Sequence, residues 1–188
     1  LPQYLEKADR IYYRIGRDRH FTDKILTFWQ QLLVRYPKHG VGPIALEDIG
    51  PTLHALRQVK SEAEVTRLKH AAAISVAAHN RVLTSTRPGL YEYQVQAELE
   101  YLFRQQGALG PAYPSIVASG ENACILHYTE NARQMQGGDL LLIDAGCSVD
   151  YYNADITRTF PVSGKFSPEQ KILYEIVLEA QEQAIAQA

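Results

Sequence analysis

Apolar residues recur at three- and four-residue steps in four stretches of the chain, a spacing that predicts amphipathic helices. The first helix is predicted from Thr22, a residue type that can cap a helix, to Tyr36. It is followed by residues 37–51, where three prolines and three glycines predict a loop. A short segment, Pro51 to Val59, then leads into the rest of the chain.

The next two helices are predicted to pack as a pair. One begins at Ser61, where Glu64 three positions later completes a capping box, and runs to Leu83. The other runs from Tyr91 to Gln106, and the Pro-Gly turn between the two is typical of an αα-hairpin. A last helix is predicted from Ser167, which is followed by a proline in the first turn.

Short runs rich in β-branched and aromatic residues predict strands. One run, residues 10–15, precedes the first helix, and four more follow the helix pair. These four are PSIVAS (114–119), CILHYT (124–129), DLLLIDAG (139–146) and DITRTFPV (155–162). A helix pair, then a group of strands, then a helix is the order of an α+β fold with a mainly antiparallel sheet.

The length of 188 residues fits one domain or two small ones, and we place a boundary near Val59 to Ser61. Both chain ends look interrupted. The first residue is Leu1 rather than methionine, and the last residues are still in helical rhythm without a glycine cap or a proline stop. We therefore expect the chain to be a piece of a longer polypeptide.

Composition excludes several classes of function. A net charge of −2 with scattered positive residues argues against a nucleic-acid-binding surface. No stretch of about 18 apolar residues could span a membrane, and the first residues lack the pattern of a signal peptide. Cys124 and Cys147 are expected to be small buried core residues, and two thiols without a disulfide framework predict a cytoplasmic protein.

Two aspartates, Asp144 and Asp155, are the strongest candidates for chemistry. If the two strands that carry them are joined by the tightest turn, with Val149 and Asp150 at its tip, the two aspartates lie directly opposite each other. Cβ atoms of opposed residues are roughly 4.5–5.5 Å apart, so the two charges need compensation. Carboxylate oxygens are hard ligands, and the pair therefore predicts a divalent metal site.

Other polar residues near this pair are weaker candidates. Asn153 and Thr157 are expected to share a strand face with Asp155 and to orient its carboxylate. His127 is predicted at a strand end beside the aspartates, although a lone histidine is more often structural. Tyr113 precedes another strand, where a packed tyrosine is the ordinary expectation.

The segments GENACILHYTEN, GDLLLIDAGC and YNADITRTFPVSGKF strongly resemble the Xaa-Pro aminopeptidases (aminopeptidase P). These enzymes belong to the pita-bread metallopeptidases, which also include prolidase and methionine aminopeptidase. The resemblance implies that residues 59–188 are the first half of a pita-bread catalytic domain. It also implies that residues 1–58 are the C-terminal part of an N-terminal domain.

The resemblance also implies a catalytic site. Asp144 and Asp155 match two of five ligands to two divalent metal ions, usually manganese, the others being one histidine and two glutamates. His127 matches a histidine that contacts substrate and helps to stabilise the tetrahedral intermediate, and Tyr113 matches a tyrosine near the metals. The expected substrates are peptides with proline at position two, whose first residue is released, and the full-length enzyme is expected to be a homo-oligomer.

One departure from the family pattern limits this expectation. No histidine follows Asp155, and the later glutamates all lie on the predicted terminal helix. We therefore expect this chain by itself to bind metal weakly and to be inactive. Prolidase, which cleaves only dipeptides, is the nearest alternative. The others are a non-catalytic pita-bread module that binds peptides and a short protein whose partner supplies the missing ligands.

Overall fold

The computed structural model describes Leu5, residues 8–39 and residues 45–187. The chain divides into two compact units between Lys60 and Ser61, and each is described by itself. In the first unit, two short strands pair in parallel, and each strand is followed by a helix. These elements are β1 (Arg10–Tyr12), α1 (Arg19–His39), β2 (Ala45–Glu47) and α2 (Gly50–Gln58).

Two predictions for the first unit are wrong in detail. Thr22 does not cap α1, because the carboxylate of Asp18 accepts the hydrogen bond from the Phe21 backbone N–H at 2.8 Å. The Thr22 hydroxyl instead donates to the Asp18 carbonyl, inside the first turn. Residues 37–51 are not all loop, since α1 extends to His39 and β2 lies within the segment.

The second unit confirms the predicted α+β fold. Its helices are α3 (Glu62–Ser85), α4 (Glu92–Gln105) and α5 (Pro168–Ala186). Its strands are β3 (Gly110–Pro111), β4 (Ile116–Ser119), β5 (Leu140–Asp144), β6 (Cys147–Val149), β7 (Tyr152–Asn153) and β8 (Thr157–Pro161). They form two antiparallel sheets, ordered β3-β6-β7 and β4-β5-β8. The predicted capping box at Ser61 and Glu64 is present, and Ser167 caps α5.

The helix pair α3 and α4 shares one buried core with both sheets, α3 lying against β6 and β7 and α4 against β3 and β4. Leu141 and Ile143 of β5 point into this core and are fully buried beside Leu99 and Phe103 of α4. Because side chains alternate along a strand, Leu142 and Asp144 lie on the opposite face. We call this opposite face, which also carries Ile116 and Thr157 as the cross-strand partners of Asp144, the outer face.

The predicted strand CILHYT does not form. Residues Gly120–Cys124 are a 3₁₀-helix, and a turn follows that contains His127. The cause is at the free edge of β4, where two backbone N–H groups are already bonded to side chains. Val117 N–H donates to Asn131 Oδ1 at 3.0 Å and Ser119 N–H donates to Glu92 Oε1 at 2.7 Å. A further strand therefore has no free donor to pair with at these positions.

No helix within the described residues is long and apolar enough to cross a membrane. Helix α5 has no buried residue among those described, and five of its apolar side chains are more than half exposed. They are Ile172, Leu173, Ile176, Val177 and Ile185. The apolar spacing therefore predicted the helix α5 correctly, but these apolar side chains are exposed in the structure.

Candidate metal centre

The hairpin that carries the two aspartates has a different register from the predicted one. Asp144 is opposite Thr157 and not opposite Asp155. The tip is Asp150–Tyr151, whose positive φ angles of 49° and 68° match the type I′ turn favoured in two-residue hairpins. The prediction placed the tip one residue too early, which shifts every pair by two positions. Because strand side chains repeat every two residues, such a shift changes the partner and keeps the face.

The side chains of Asp144 and Asp155 nevertheless meet, because both contact Tyr113. The Tyr113 hydroxyl lies 2.6 Å from Asp144 Oδ1 and 3.1 Å from Asp155 Oδ1. A phenol has one proton, so it donates to one carboxylate at a time. Partial burial, together with these hydrogen bonds and the two negative charges, raises the pKa of Tyr113. Tyr113 is therefore a neutral hydrogen-bond donor at physiological pH.

A close approach of two backbone segments brings the aspartates together. A Cβ atom on Gly146 would lie only 1.9 Å from the Ala154 carbonyl oxygen, so glycine is required there. Ladder bonds continue on both sides of this contact, from Ala145 N–H to Ile156 O at 3.1 Å and from Ala154 N–H to Cys147 O at 2.9 Å. The segment 145–156 therefore stays paired while it crosses from one sheet to the other.

Two further hydrogen bonds fix the surroundings of Gly146. Ala112 N–H donates to the Gly146 carbonyl at 2.8 Å and so places Tyr113, the next residue. On the core side, His79 Nε2–H donates to the Ala145 carbonyl at 2.9 Å. Burial lowers the pKa of His79, and its Nδ1 has no partner within the described residues. A neutral imidazole therefore supports the backbone next to Asp144.

Other predicted residues make no side-chain hydrogen bond to the two carboxylates within the described part of the chain, where Tyr113 is their donor. His127 is exposed in a turn with φ 56°, and it makes no hydrogen bond within the part of the chain that is described. Thr157 is the cross-strand partner of Asp144, whereas Asn153 pairs with Ser148. Neither Asn153 nor Thr157 bonds to the Asp155 carboxylate, for which the described donor is Tyr113. Their predicted role in orienting Asp155 is therefore wrong.

The two cysteines differ from each other. Cys147 is buried as expected, and its thiol lies 3.3 Å from the Ala71 carbonyl. Cys124 is exposed at the end of the 3₁₀-helix, so the prediction that it is a core residue is wrong. Neither cysteine is in a disulfide.

Sequence reasoning missed two buried polar residues, Glu92 and Asn131. Asn131 is 1% exposed, and its Oδ1 accepts a hydrogen bond from the free edge of β4. Glu92 is 0% exposed and accepts hydrogen bonds from four residues. An acid in the first turn of a helix is common, so the pattern alone did not distinguish Glu92 from a surface residue.

The donor set fits a divalent cation in part. Two carboxylates within reach of one hydroxyl supply hard oxygen ligands of the kind that Mn²⁺ or Mg²⁺ prefers. Among the described residues, however, no group of three or more His, Cys, Asp or Glu side chains could hold a metal ion. The two carboxylates of Asp144 and Asp155 by themselves do not complete the coordination sphere of a divalent ion.

Comparison with known proteins gives a consistent result. The chain is 41% identical over 186 residues to the Xaa-Pro aminopeptidase of Escherichia coli (strain K12), which covers 98% of this chain and 42% of that protein. It is 48% identical over 138 residues to the Xaa-Pro aminopeptidase of Haemophilus influenzae, covering 73% of this chain and 32% of that protein. The chain thus spans about two fifths of the length of the first of these relatives.

Solved structures match the fold over nearly the whole chain. The aminopeptidase PepP of Pseudomonas aeruginosa superposes with a TM-score of 0.88 at 48% identity, covering 95% of this chain and 40% of that one. Zinc-substituted E. coli aminopeptidase P in complex with product gives a TM-score of 0.89 at 41% identity, covering 96% and 41%. The model of metallopeptidase family M24 matches residues 66–188, which include Tyr113 and both aspartates. This chain therefore belongs to metallopeptidase family M24.

Proposed function

We propose that the protein to which this chain belongs is an Xaa-Pro aminopeptidase, a hydrolase that releases the first residue of a peptide with proline second. The observation that carries the proposal is the contact of the Asp144 and Asp155 carboxylates with one hydroxyl, that of Tyr113. The similarity to named Xaa-Pro aminopeptidases supports the choice of reaction. It concerns the whole protein, because the chain spans 42% of the E. coli relative.

Asp144 and Asp155 are the proposed ligands of two divalent metal ions, and we propose manganese. Bound divalent ions in such sites lower the pKa of water and polarise a carbonyl group. The resemblance implies three further ligands, one histidine and two glutamates. We propose that residues outside this chain supply them, since the described residues contain no third ligand near the pair.

The other residues of the site have distinct proposed roles. Tyr113 donates a hydrogen bond to either carboxylate and so holds their oxygens in place. His127 is proposed to contact the peptide and to donate to its carbonyl oxygen as charge develops there. Its neighbour Tyr128 packs with Ile116 and Leu142, which lie on the outer face with Asp144. On this ground we propose that the His127 imidazole faces the same side of the sheet as Asp144.

A pair of matched substitutions in the full-length protein tests the proposal. Asp155→Asn should lower the cleavage of an Xaa-Pro-Yaa-Zaa peptide with Mn²⁺ by more than about a hundredfold, since even outer partners of metal ligands are worth 10- to 100-fold. Asp150→Asn is the control, because Asp150 lies five residues away at the exposed hairpin tip and pairs with Arg67. Equal activity of the two variants would exclude Asp155 as a ligand.

Substrate choice and metal content separate the alternatives. Cleavage of Xaa-Pro dipeptides alone would identify a prolidase instead. A full-length protein that stays metal-free under saturating Mn²⁺ would identify a peptide-binding module. We further propose that the protein is cytoplasmic and homo-oligomeric, the first supported by two unpaired cysteines. Sedimentation of the full-length protein tests the second.

A further inference from the structure

Glu92, at the start of α4, is a charged side chain with no exposed surface. Its Oε1 accepts from the backbone N–H and the hydroxyl of Ser119, both at 2.7 Å. Its Oε2 accepts from the Tyr128 hydroxyl at 2.8 Å and from the Arg133 N–H at 2.9 Å. Asn122 Nδ2 lies 3.2 Å and 3.4 Å from the two oxygens. A buried carboxylate is stable in the folded protein only with donors of this number and quality.

The four donor residues belong to one segment of chain. Ser119 is the last residue of β4, Asn122 lies in the 3₁₀-helix, and Arg133 is where the chain returns to α4. Tyr128 lies between them and is 7% exposed. We name residues 120–132 the β4 excursion. One carboxylate therefore holds the start, the middle and the end of the β4 excursion together.

The β4 excursion carries His127 next to the residue that Glu92 binds. His127 has a left-handed backbone, with φ 56°, which a residue with a side chain adopts only where its surroundings enforce it. Its side chain is exposed and makes no hydrogen bond of its own within the described part of the chain. The position of the imidazole therefore depends on the backbone on either side, and above all on the anchored Tyr128.

We propose that Glu92 is a positioning residue that sets the place of the His127 imidazole over the outer face, acting through Tyr128. The position of the His127 imidazole depends on this chain alone. The effect of that position on peptide cleavage rests on the proposed function. Glu92 touches neither carboxylate of the site and reaches the peptide only through His127.

A carboxylate is required at position 92 because every partner is a donor. Glutamine has the same size but presents one oxygen and one NH₂ group. In Glu92→Gln, the amide nitrogen must therefore face either the Ser119 pair or the Tyr128 and Arg133 pair. Either orientation places donor against donor and releases one end of the β4 excursion. Glu98→Gln is the matched control on the same helix, because Glu98 binds Arg81 and Ser85 of α3 instead.

The first experiment uses NMR on this chain and needs no activity. In Glu92→Gln, amides of the β4 excursion should exchange with solvent about tenfold faster or more, while those of α3 stay within about twofold of the wild type. The ring signals of His127 should shift, and those of His79 should not. Tyr128→Phe, which removes one donor and keeps the packed ring, should move the same His127 signals less. His127 signals and exchange rates that are unchanged in Glu92→Gln, or changed equally in Glu98→Gln, would overturn the proposal.

The second experiment is a double-mutant cycle on peptide cleavage by the full-length protein. Glu92→Gln should lower kcat about tenfold with the Mn²⁺ affinity unchanged, and it should have less than a twofold effect in a His127→Ala background. If the two substitutions lower kcat independently, so that their fold-changes multiply in the double mutant, Glu92 does not act through His127 and the proposal is overturned. A wild-type protein that cleaves no Xaa-Pro peptide would refute the proposed function, while the NMR result would still decide the placement of His127.

Discussion

The substitution Gly146→Ala should strongly destabilise the second unit. The added methyl carbon would lie 1.9 Å from the Ala154 carbonyl oxygen and 2.9 Å from the Asp155 amide nitrogen. A carbon and a carbonyl oxygen in ordinary contact are about 3.3–3.6 Å apart, so the two backbone segments must separate by more than about 1 Å. Both segments belong to a paired hairpin, and neither can rotate out of the way as a side chain would.

The cost follows from two contributions. Overpacking of a tight contact typically costs about 1–3 kcal/mol. The flanking ladder bonds, from Ala145 to Ile156 and from Ala154 to Cys147, would lengthen as well, at about 1 kcal/mol each. We expect a loss of about 3–5 kcal/mol in the free energy of unfolding. With a urea m-value of about 2 kcal/mol/M, the unfolding midpoint should fall by about 2 M.

The assay is urea unfolding followed by circular dichroism at 222 nm. Tryptophan fluorescence is unsuitable, because the single tryptophan, Trp29, lies in the first unit. Gly137→Ala is the control, since its Cβ would meet only Pro88 Cγ at 4.0 Å. It should leave the midpoint unchanged or raise it slightly. If both variants unfold at the same urea concentration, the close backbone contact at Gly146 is not what requires a glycine.

Three further predictions follow from the buried groups and the exposed helix. Burial would raise the pKa of Glu92, but hydrogen bonds from Ser119, Arg133 and Tyr128 outweigh it and lower the pKa below the usual 4.5. The charge of Glu92 therefore stabilises the fold above that pH. The difference in the free energy of unfolding between wild type and Glu92→Gln, measured by urea titration, should become smaller as the pH falls below about 4.5. A difference that does not change with pH would contradict this. Iodoacetamide should label Cys124 in the native protein, whereas Cys147, whose pKa is raised by burial, should react only in urea, as mass spectrometry of the labelled peptides would show. The apolar side chains exposed on α5 should make this chain associate, and sedimentation as a clean monomer at high concentration would argue against that.

The sequence predicted the helices and the core strands because their signals are local. The capping serines Ser61 and Ser167 and the apolar run of β5 depend on residues within one or two turns, and each was found close to its predicted position. The family of the chain was predicted from its resemblance to the Xaa-Pro aminopeptidases. It also singled out Tyr113, whose two hydrogen bonds span 31 and 42 positions and could not be deduced from spacing.

The errors in prediction have different physical causes, and competition from distant partners is the first. CILHYT has the composition of a strand, but side chains of Glu92 and Asn131 already occupy the edge of β4. The hairpin register depended on which two residues could adopt positive φ angles, and a tyrosine at the tip gives no such signal. Gly146 could have been recognised, since an isolated glycine within a strand pattern often marks a close backbone approach.

The capping box of α3 also contacts the hairpin that leads to Asp155. Glu64 closes the first turn of the helix, and its carboxylate also accepts a hydrogen bond from Tyr152 at 3.0 Å, beside the hairpin tip. One turn further along α3, Arg67 pairs with Asp150 of the tip, but both side chains are exposed and the ion pair contributes little. The hairpin that leads to Asp155 is thus hydrogen-bonded near its tip to the first turn of α3. A substitution of Glu64 would look in a sequence alignment like a lost helix cap, worth about 1 kcal/mol. It would also loosen the strand pair that leads to Asp155, so a substitution at the start of α3 should change the arrangement of the two carboxylates around Tyr113.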